Sequence, residues 1–470
     1  MSGAAMDLRA LAAHGPVHFM GAGGAGMCAL AELLVRSGGR VSGCDLKDSV
    51  SLQDLARLGV DVHVGHDASH VEAASALVIT AAVPSDHPEL RRARERGVPV
   101  LKRAEALGSW VNRGKLVAVA GTHGKTTTTA MAAEIFAFAG LDPTGLVGGR
   151  VVGWNGNLLM GQGDLYVVEA DEYDRSFLTL EPNVAVVTNV EADHLDVYGD
   201  LSGVRDGFRA FLSAVRPDGV VAACADDHGS ASLLAAVGSA GTSYGLSAGS
   251  RLRAVAVVTG PEGTSCEIYE KGEFAGVLRL ALGGVHNLRN ALGAAAAARA
   301  LGVSWEDIHG GLAAFRGVGR RFERLGSRRG VEVVDDYAHH PTEIRATLSA
   351  ARAAYPGARL VAAFQPHLYT RTRDFHADFG AALSDADQVW VTDVFPAREA
   401  PIPGVTGALV AGAVREAGGA DVRYIPSLDE LPAALADQLR DGDVLLTLGA
   451  GSIERLGAAV LSRIEEGGRA

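Results

Sequence analysis

LVAVAGTHGKTTTT, residues 116–129, runs from an apolar, β-rich segment into a glycine turn that delivers Lys125 and Thr126 to a helix start. Backbone N–H groups of such a turn and the positive end of the following helix converge on an anion. In this pattern the lysine reaches terminal phosphates and the hydroxyl ligates Mg2+. Gly121, Thr122, His123, Gly124, Lys125, Thr126 and Thr127 are therefore candidate contacts to ATP or GTP. The loop is shorter than the common GxxxxGK form: Val119 stands where that pattern wants its first glycine, and Gly121 takes over to give GxxGKT. Only five lysines occur in the chain, at 47, 102, 115, 125 and 271, so the match at Lys125 is informative. The bland account is a glycine turn with a surface lysine, and His123 could serve only to shape the loop.

At 470 residues the chain exceeds what one hydrophobic core usually supports, and at about 150 residues per domain it calls for roughly three domains. A formal net charge of -12 argues against nucleic-acid binding and leaves phosphate recognition to local loops and helix ends. The four cysteines, Cys28, Cys44, Cys224 and Cys266, are scattered without CxxC or another metal-ligand spacing, which fits a reducing compartment. MSGAAMDLRALAAHG at the amino terminus lacks a basic segment followed by an apolar core, and no run approaches the ~18 apolar residues of a membrane span. A cytoplasmic protein without a membrane partner is expected.

Short apolar runs alternate with amphipathic stretches along most of the chain, the pattern of α/β domains with parallel sheets. The expected division is 1–107, 108–318 and 319–470. Pro99 to Gly108 reads as the exit from the first domain; Gly238 to Ser250 and the Gly260 to Gly272 region read as loops and hairpins in the second. In the first domain, a strand ending at Met20 leads into Gly21, Gly23, Gly24 and Gly26, with Asp45 nineteen residues after Gly26. That is a dinucleotide-binding layout, and nicotinamide cofactor is its obvious ligand. With 60 glycines in the chain the bare pattern is weak, and its context carries it.

In the second domain, Glu169 leaves a strand in LYVVEADEYD, and Glu191, Asp193 and His194 follow another in TNVEADHLD. Hard cations take carboxylate and hydroxyl oxygens, so Thr126 with Glu169 is a candidate Mg2+ pair and His194 a candidate for a second ion. Asn287 and Asn290 in HNLRN stand one helical turn apart, suited to nucleotide hydrogen bonding or to a plain helix cap. Arg321, Asp336, Tyr337, His339, His367, Arg371 and Arg373 cluster at expected strand ends of the third domain, where guanidinium groups can clamp carboxylate or phosphate.

Taken together, VHFMGAGGAGM, AGTHGKTTTT, EADEYDRSF, TNVEADHLD, HNLRNALGA, GVGRRFE, DDYAHHPTEI, FQPHLYTRTR, EAPIPGV and LGAGSIE resemble, in order and over nearly the whole chain, the Mur ligases of peptidoglycan synthesis. The resemblance is strongest to their alanine-adding branch. It implies an α/β protein of three domains: a Rossmann-like UDP-binding domain, a central P-loop ATPase domain and a C-terminal Rossmann-like domain. It implies ATP-dependent joining of L-alanine to UDP-N-acetylmuramate through an acyl phosphate, with Mg2+, by a monomer or homodimer. Lys125, His194 and Arg321 are then catalytic; Thr126, Glu169 and His194 hold metal; Asn287, Asn290, Arg321 and Asp336 lie near ATP. Tyr337, His339 and Arg371 frame the amino acid, and the glycine turn with Asp45 is reassigned from nicotinamide to the UDP sugar. Several relatives carry a carbamoylated lysine after the TNVxxDH segment, whereas here no lysine stands between Lys125 and Lys271. The alternative within the family is the recycling ligase that adds a preformed tripeptide; FQPHLYTRTR with DDYAHHP favours the single amino acid.

Overall fold

The computed structural model describes residues 7–80, 82–237, 241–397 and 399–466. They form two compact units, one of residues up to 257 with 266–279 and 289–316, the other of 258–265, 280–288 and 317 onward. The first unit opens with five parallel strands, β1 Val17–Met20, β2 Val41–Asp45, β3 Asp61–Val64, β4 Ala76–Ile79 and β5 Val100–Lys102, in the order β3-β2-β1-β4-β5. All of β1 is buried, as a central parallel strand covered on both faces must be. The strand order reverses between β1 and β4, and the glycine turn after β1 stands at that switch point, where open α/β sheets bind ligands.

The next sheet has ten strands: β6 Lys115–Ala120, β7 Thr144–Val151, β8 Gly156–Leu159, β9 Leu165–Glu169, β10 Val184–Val187, β11 Val220–Cys224, β12 Gly241–Gly245, β13 Leu252–Gly260, β14 Gly263–Glu270 and β15 Glu273–Leu280. Their order is β15-β14-β13-β12-β11-β10-β6-β9-β7-β8. Helix Lys125–Phe138 follows β6 and is buried on nearly every side, so its Thr/Ala composition serves an interior position rather than one apolar stripe. The second unit carries β16 Glu323–Arg328, β17 Val331–Asp336, β18 Arg359–Phe364, β19 Gln388–Val391, β20 Asp421–Tyr424 and β21 Asp443–Leu448, ordered β16-β17-β21-β18-β19-β20. Only β16 runs antiparallel to its neighbour among the registered pairs of this sheet.

Two local expectations change. Pro99 to Gly108 is not a linker: β5 and helix Arg103–Val111 occupy it, and a boundary after residue 107 falls inside that helix. Of the stretch read as loop at 238–250, residues 238–240 lie outside the described residues, and 241–245 form β12, parallel to β11. GTSYG has little strand character on its own; Tyr244 anchors it, fully buried with its hydroxyl donating to Val187 O at 3.1 Å. In the third sheet the two edge strands, β16 and β20, are polar and carry no apolar run that would mark them in sequence.

Candidate active site

Strands β9, β6 and β10 lie side by side and parallel, so the loops leaving their carboxyl ends share one sheet edge. Gly121 (φ 140°) and Gly124 (φ 81°) adopt backbone conformations that favour glycine. A side chain at Gly121 would also strike Thr188, and one at Gly124 would strike the Asn290 carboxamide. Asn290 therefore lies against the phosphate-loop backbone rather than on an open helix surface, while Asn287 on the same helix donates to Gly283 O at 2.9 Å. The loop is pinned from β10: Asn189 Oδ1 accepts the His123 N–H (2.8 Å), Thr188 Oγ1 donates to His123 O (2.6 Å), and Thr122 Oγ1 accepts the Glu191 N–H (2.9 Å). His123 thus shapes the loop through its backbone, with its Nε2 3.6 Å from Glu191.

Lys125 Nζ donates to Gly121 O (2.6 Å) and to both carboxylate oxygens of Glu172 (3.0 and 2.8 Å). Burial works against its charge, but Glu172 and then Asp171 outweigh it and hold the ammonium above its ordinary range. Glu172 was missed in the sequence, where only the first acid of EADEYD stood at the strand end; the turn after β9 brings the later one round onto the lysine. Its Oε1 is also 3.8 Å from His194 Nε2, and Asp193 Oδ2 lies at the same distance from that nitrogen. His194 sits in the left-handed region (φ 51°, ψ 41°), a strained conformation for a non-glycine residue and one common at functional turns. Glu169 hydrogen-bonds to Thr126 and accepts the Gly148 N–H. Burial raises its carboxyl above the usual range despite the Gly148 contact and Lys125. A half-buried carboxylate beside a buried hydroxyl supplies hard oxygen donors, and these residues fit Mg2+.

The glycine turn after β1 is tightly drawn: Gly21 N–H and Ala22 N–H both bond Cys44 O (2.8 and 2.9 Å), and Gly23 N–H bonds Asp45 Oδ2 (2.9 Å). Asp45 thus holds the turn itself. Gly24 caps helix Ala25–Arg36, so Gly26 lies within the first helical turn, where a side chain would press on the Arg103 guanidinium. A hollow of about 700 Å3 elsewhere in this unit, lined among others by Arg9, Trp110 and Tyr166, contains none of the expected site residues.

In the second unit, β17, β21 and β18 are adjacent and parallel, and their carboxyl-end loops again converge. Asp336 accepts the Phe322 (2.7 Å) and Ala338 (2.8 Å) N–H groups; burial pushes its carboxyl up to about 6, with Arg321 opposing. The guanidinium carbons of Arg320 and Arg321 each lie 5.1 Å from the Tyr337 ring centroid, and Arg321 pairs with Glu343 at 3.6 Å. His339 Nδ1 is 2.9 Å from Tyr337 O, and its ring stands edge-on to Tyr337 and His367 at 5.1 and 5.8 Å. Arg371 is buried in the first turn of helix Tyr369–Leu383. Arg373 does not join them: it is exposed and pairs with the neighbouring Asp374 at 2.7 Å, because two residues along a helix is the opposite face.

Comparison with known proteins covers all three sheets. Residues 16–115 match the Mur ligase family catalytic domain, 119–298 the Mur ligase middle domain, and 320–451 the Mur ligase glutamate ligase domain. UDP-N-acetylmuramate–L-alanine ligase of Oleidesulfovibrio alaskensis is 46% identical over 94% of this chain and 97% of its own; that of Renibacterium salmoninarum is 44% identical over 96% of each. The crystal structure of UDP-N-acetylmuramate-alanine ligase MurC from Thermotoga maritima superposes with a TM-score of 0.84, at 29% identity, over 97% of this chain and all of that one. A murein peptide ligase from Psychrobacter arcticus shares the fold, with a TM-score of 0.71 at 24% identity over 95% of this chain and 98% of that one. With a phosphate loop, a buried lysine–carboxylate pair and three sheets in this succession, the chain belongs to the Mur ligase family.

Proposed function

We propose that the chain uses ATP to join L-alanine to the lactyl carboxylate of UDP-N-acetylmuramate, in peptidoglycan precursor synthesis in the cytoplasm. The observation that carries the reading is the meeting of Lys125, Glu172, the Thr126–Glu169 pair and Asn290 around one phosphate loop. A carboxylate resists attack by an amine because its own charge repels the electron pair and oxide is a poor leaving group. Moving the γ-phosphoryl group onto one carboxylate oxygen solves both, with ADP as the first leaving group. Attack by the alanine amine then forms the C–N bond, breaks the C–O bond and releases phosphate that keeps the carboxylate oxygen; the amine proton passes to solvent.

Lys125 stabilises charge on the transferring phosphoryl group, and Arg321 from the third domain adds a second cation. Thr126, Glu169 and His194 would hold Mg2+, which supplies neutralisation of phosphate charge when bound. Asn287, Asn290 and Asp336 contact nucleotide; Tyr337, His339 and Arg371 orient alanine; Gly21, Gly23, Gly24 and Gly26 with Asp45 form the UDP-sugar turn. Acyl phosphate hydrolyses in water, so the reaction requires a closed, dry site. The test is phosphate release from ATP with UDP-N-acetylmuramate carrying an isotopically labelled carboxylate oxygen. Release that depends on L-alanine, with label in the phosphate, is expected. Release driven by tripeptide in place of alanine, or label absent from phosphate, overturns the reading.

A further inference from the structure

On the first sheet, away from the phosphate loop, His18 of β1, Cys44 of β2, His70 of the 3-10 turn Ala68–Val71 and Glu89 of helix Pro88–Glu95 bring four donor atoms together, all within 4.8 Å of one another. His18 Nε2 is 3.3 Å from Cys44 Sγ, Cys44 Sγ is 3.3 Å from Glu89 Oε2, His18 Nε2 is 3.8 Å from that oxygen, and His70 Nδ1 is 3.0 Å from Glu89 Oε1. A tetrahedral ion with Zn–N near 2.0 Å and Zn–S near 2.3 Å places its ligand atoms roughly 3.3–3.7 Å apart; the His18–Cys44 and Cys44–Glu89 separations fall in that range, while His70 meets the other Glu89 oxygen, so closing the shell takes a shift of the His70 and Glu89 side chains. We propose that His18, Cys44, His70 and Glu89 bind one Zn2+-class cation as a closed structural site of the first domain.

Three independent features support it. First, Glu89 is 0% exposed, and among the described residues its ion-pair partners are histidines, His18, His66 and His70, with no lysine or arginine. A buried carboxylate needs compensating charge, and a divalent ion supplies it. Second, the rings are oriented from behind: His18 Nδ1 bonds Ser42 Oγ at 2.9 Å, leaving Nε2 for the cluster, and His63 stacks flat on His70 at 4.4 Å and 11°. Metal-ligating histidines are held through the second ring nitrogen as His18 is, and the stack restrains the His70 ring. Third, the donor set is one thiol, two imidazoles and one carboxylate, which selects Zn2+ or Co2+ over Mg2+. Burial keeps His18 neutral, near 4, and keeps the Cys44 thiol protonated in the absence of an ion. Binding exchanges the Cys44 proton, which leaves to solvent, for a metal–sulfur bond, with no change of oxidation state. His66, with Nδ1 3.3 Å from Cys44 Sγ and its side chain partly exposed, stands at the outer edge as an entry ligand. The spacing along the chain hid this group, since each ligand comes from a different element.

The experiment uses the full chain, stripped with chelator and reloaded with Co2+ in excess Mg2+ so that oxygen-donor sites are filled. About one Co2+ per chain is expected, with the visible bands of a tetrahedral site and a near-ultraviolet thiolate-to-cobalt band that Zn2+ abolishes. Cys44→Ser should lose the thiolate band, and His70→Asn should weaken Co2+ binding at least about tenfold. In wild type alone, Zn2+ should slow alkylation of Cys44, followed by peptide mapping, at least about tenfold. No retained Co2+, an octahedral spectrum, a thiolate band that persists in Cys44→Ser, or unchanged Cys44 alkylation would each overturn the proposal.

Discussion

Replacing Glu172 by Gln isolates the interaction on which the phosphate loop turns. The Lys125 side chain is 15% exposed and that of Glu172 3%, so the variant strands an ammonium in a largely desolvated position. Removing one partner of a buried pair costs roughly 3–5 kcal/mol. Because Lys125 keeps Gly121 O at 2.6 Å and Thr122 O at 3.3 Å, the lower end applies. About 3 kcal/mol corresponds to a fall of roughly 6–12 °C in the melting temperature of a domain this size. Lys125→Met, which strands the carboxylate instead, should destabilise comparably. The double variant buries neither charge and should melt well above the sum of the two losses, a coupling of about 2–3 kcal/mol. Thermal unfolding of the four proteins, with and without a non-hydrolysable ATP analogue, measures this. A triphosphate gives the stranded ammonium a new anionic partner, so the analogue should raise the melting temperature of Glu172→Gln more than that of wild type. Additive losses, or a Glu172→Gln variant as stable as wild type, would show that the pair is solvated and that Lys125 is not held for phosphate by Glu172.

Lys125→Ala should lower turnover at least about 10²-fold while UDP-sugar affinity, measured by calorimetry, stays near wild type; retention of more than roughly a tenth of the rate counts against the assignment. Calorimetry should also find the UDP sugar binding far more tightly than NAD, and the reverse order would return the Gly21 turn to a nicotinamide role. Arg371→Lys should raise KM for alanine about tenfold or more with KM for ATP little changed, since a point charge cannot reproduce a two-pronged carboxylate contact. Asp336 has a carboxyl raised to about 6 from 3.8, so its proton is held more tightly in the folded protein. The stability this confers is present below pH ~4 and lost as pH rises through about 6, a swing of about 3 kcal/mol. Denaturant unfolding of Asp336→Asn across that window should lack the swing, and an identical pH profile would place the titrating group elsewhere.

What could be read from the chain and what could not divide along a physical line. AGTHGKT was legible because a phosphate loop is contiguous: the strand, the two left-handed glycines and the helix start lie within one short stretch, and each residue type answers to a local backbone demand. The β-α alternation was legible for the same reason, as was the succession of loops at strand ends. Glu172 was not, because its role depends on how the turn after β9 folds its carboxylate back onto a lysine 47 positions away. Arg371 and Arg373 look equivalent in TRTR, and only the helix decides that one is buried and the other salt-bridged to Asp374 in solvent. Asp45 stood in the sequence only as the acid trailing the glycine turn, and that its carboxylate accepts the Gly23 N–H is visible only in the folded turn. The group at His18, Cys44, His70 and Glu89 is the extreme case: four ligands on four elements, assembled only when β1 and β2 pair in register and helix Pro88–Glu95 packs below them. Chemistry that needs one loop announces itself in sequence, whereas chemistry built by the pairing of strands is visible only once the sheet exists, and it is there, in buried charge lacking a lysine or arginine, that unassigned function in this fold is to be sought.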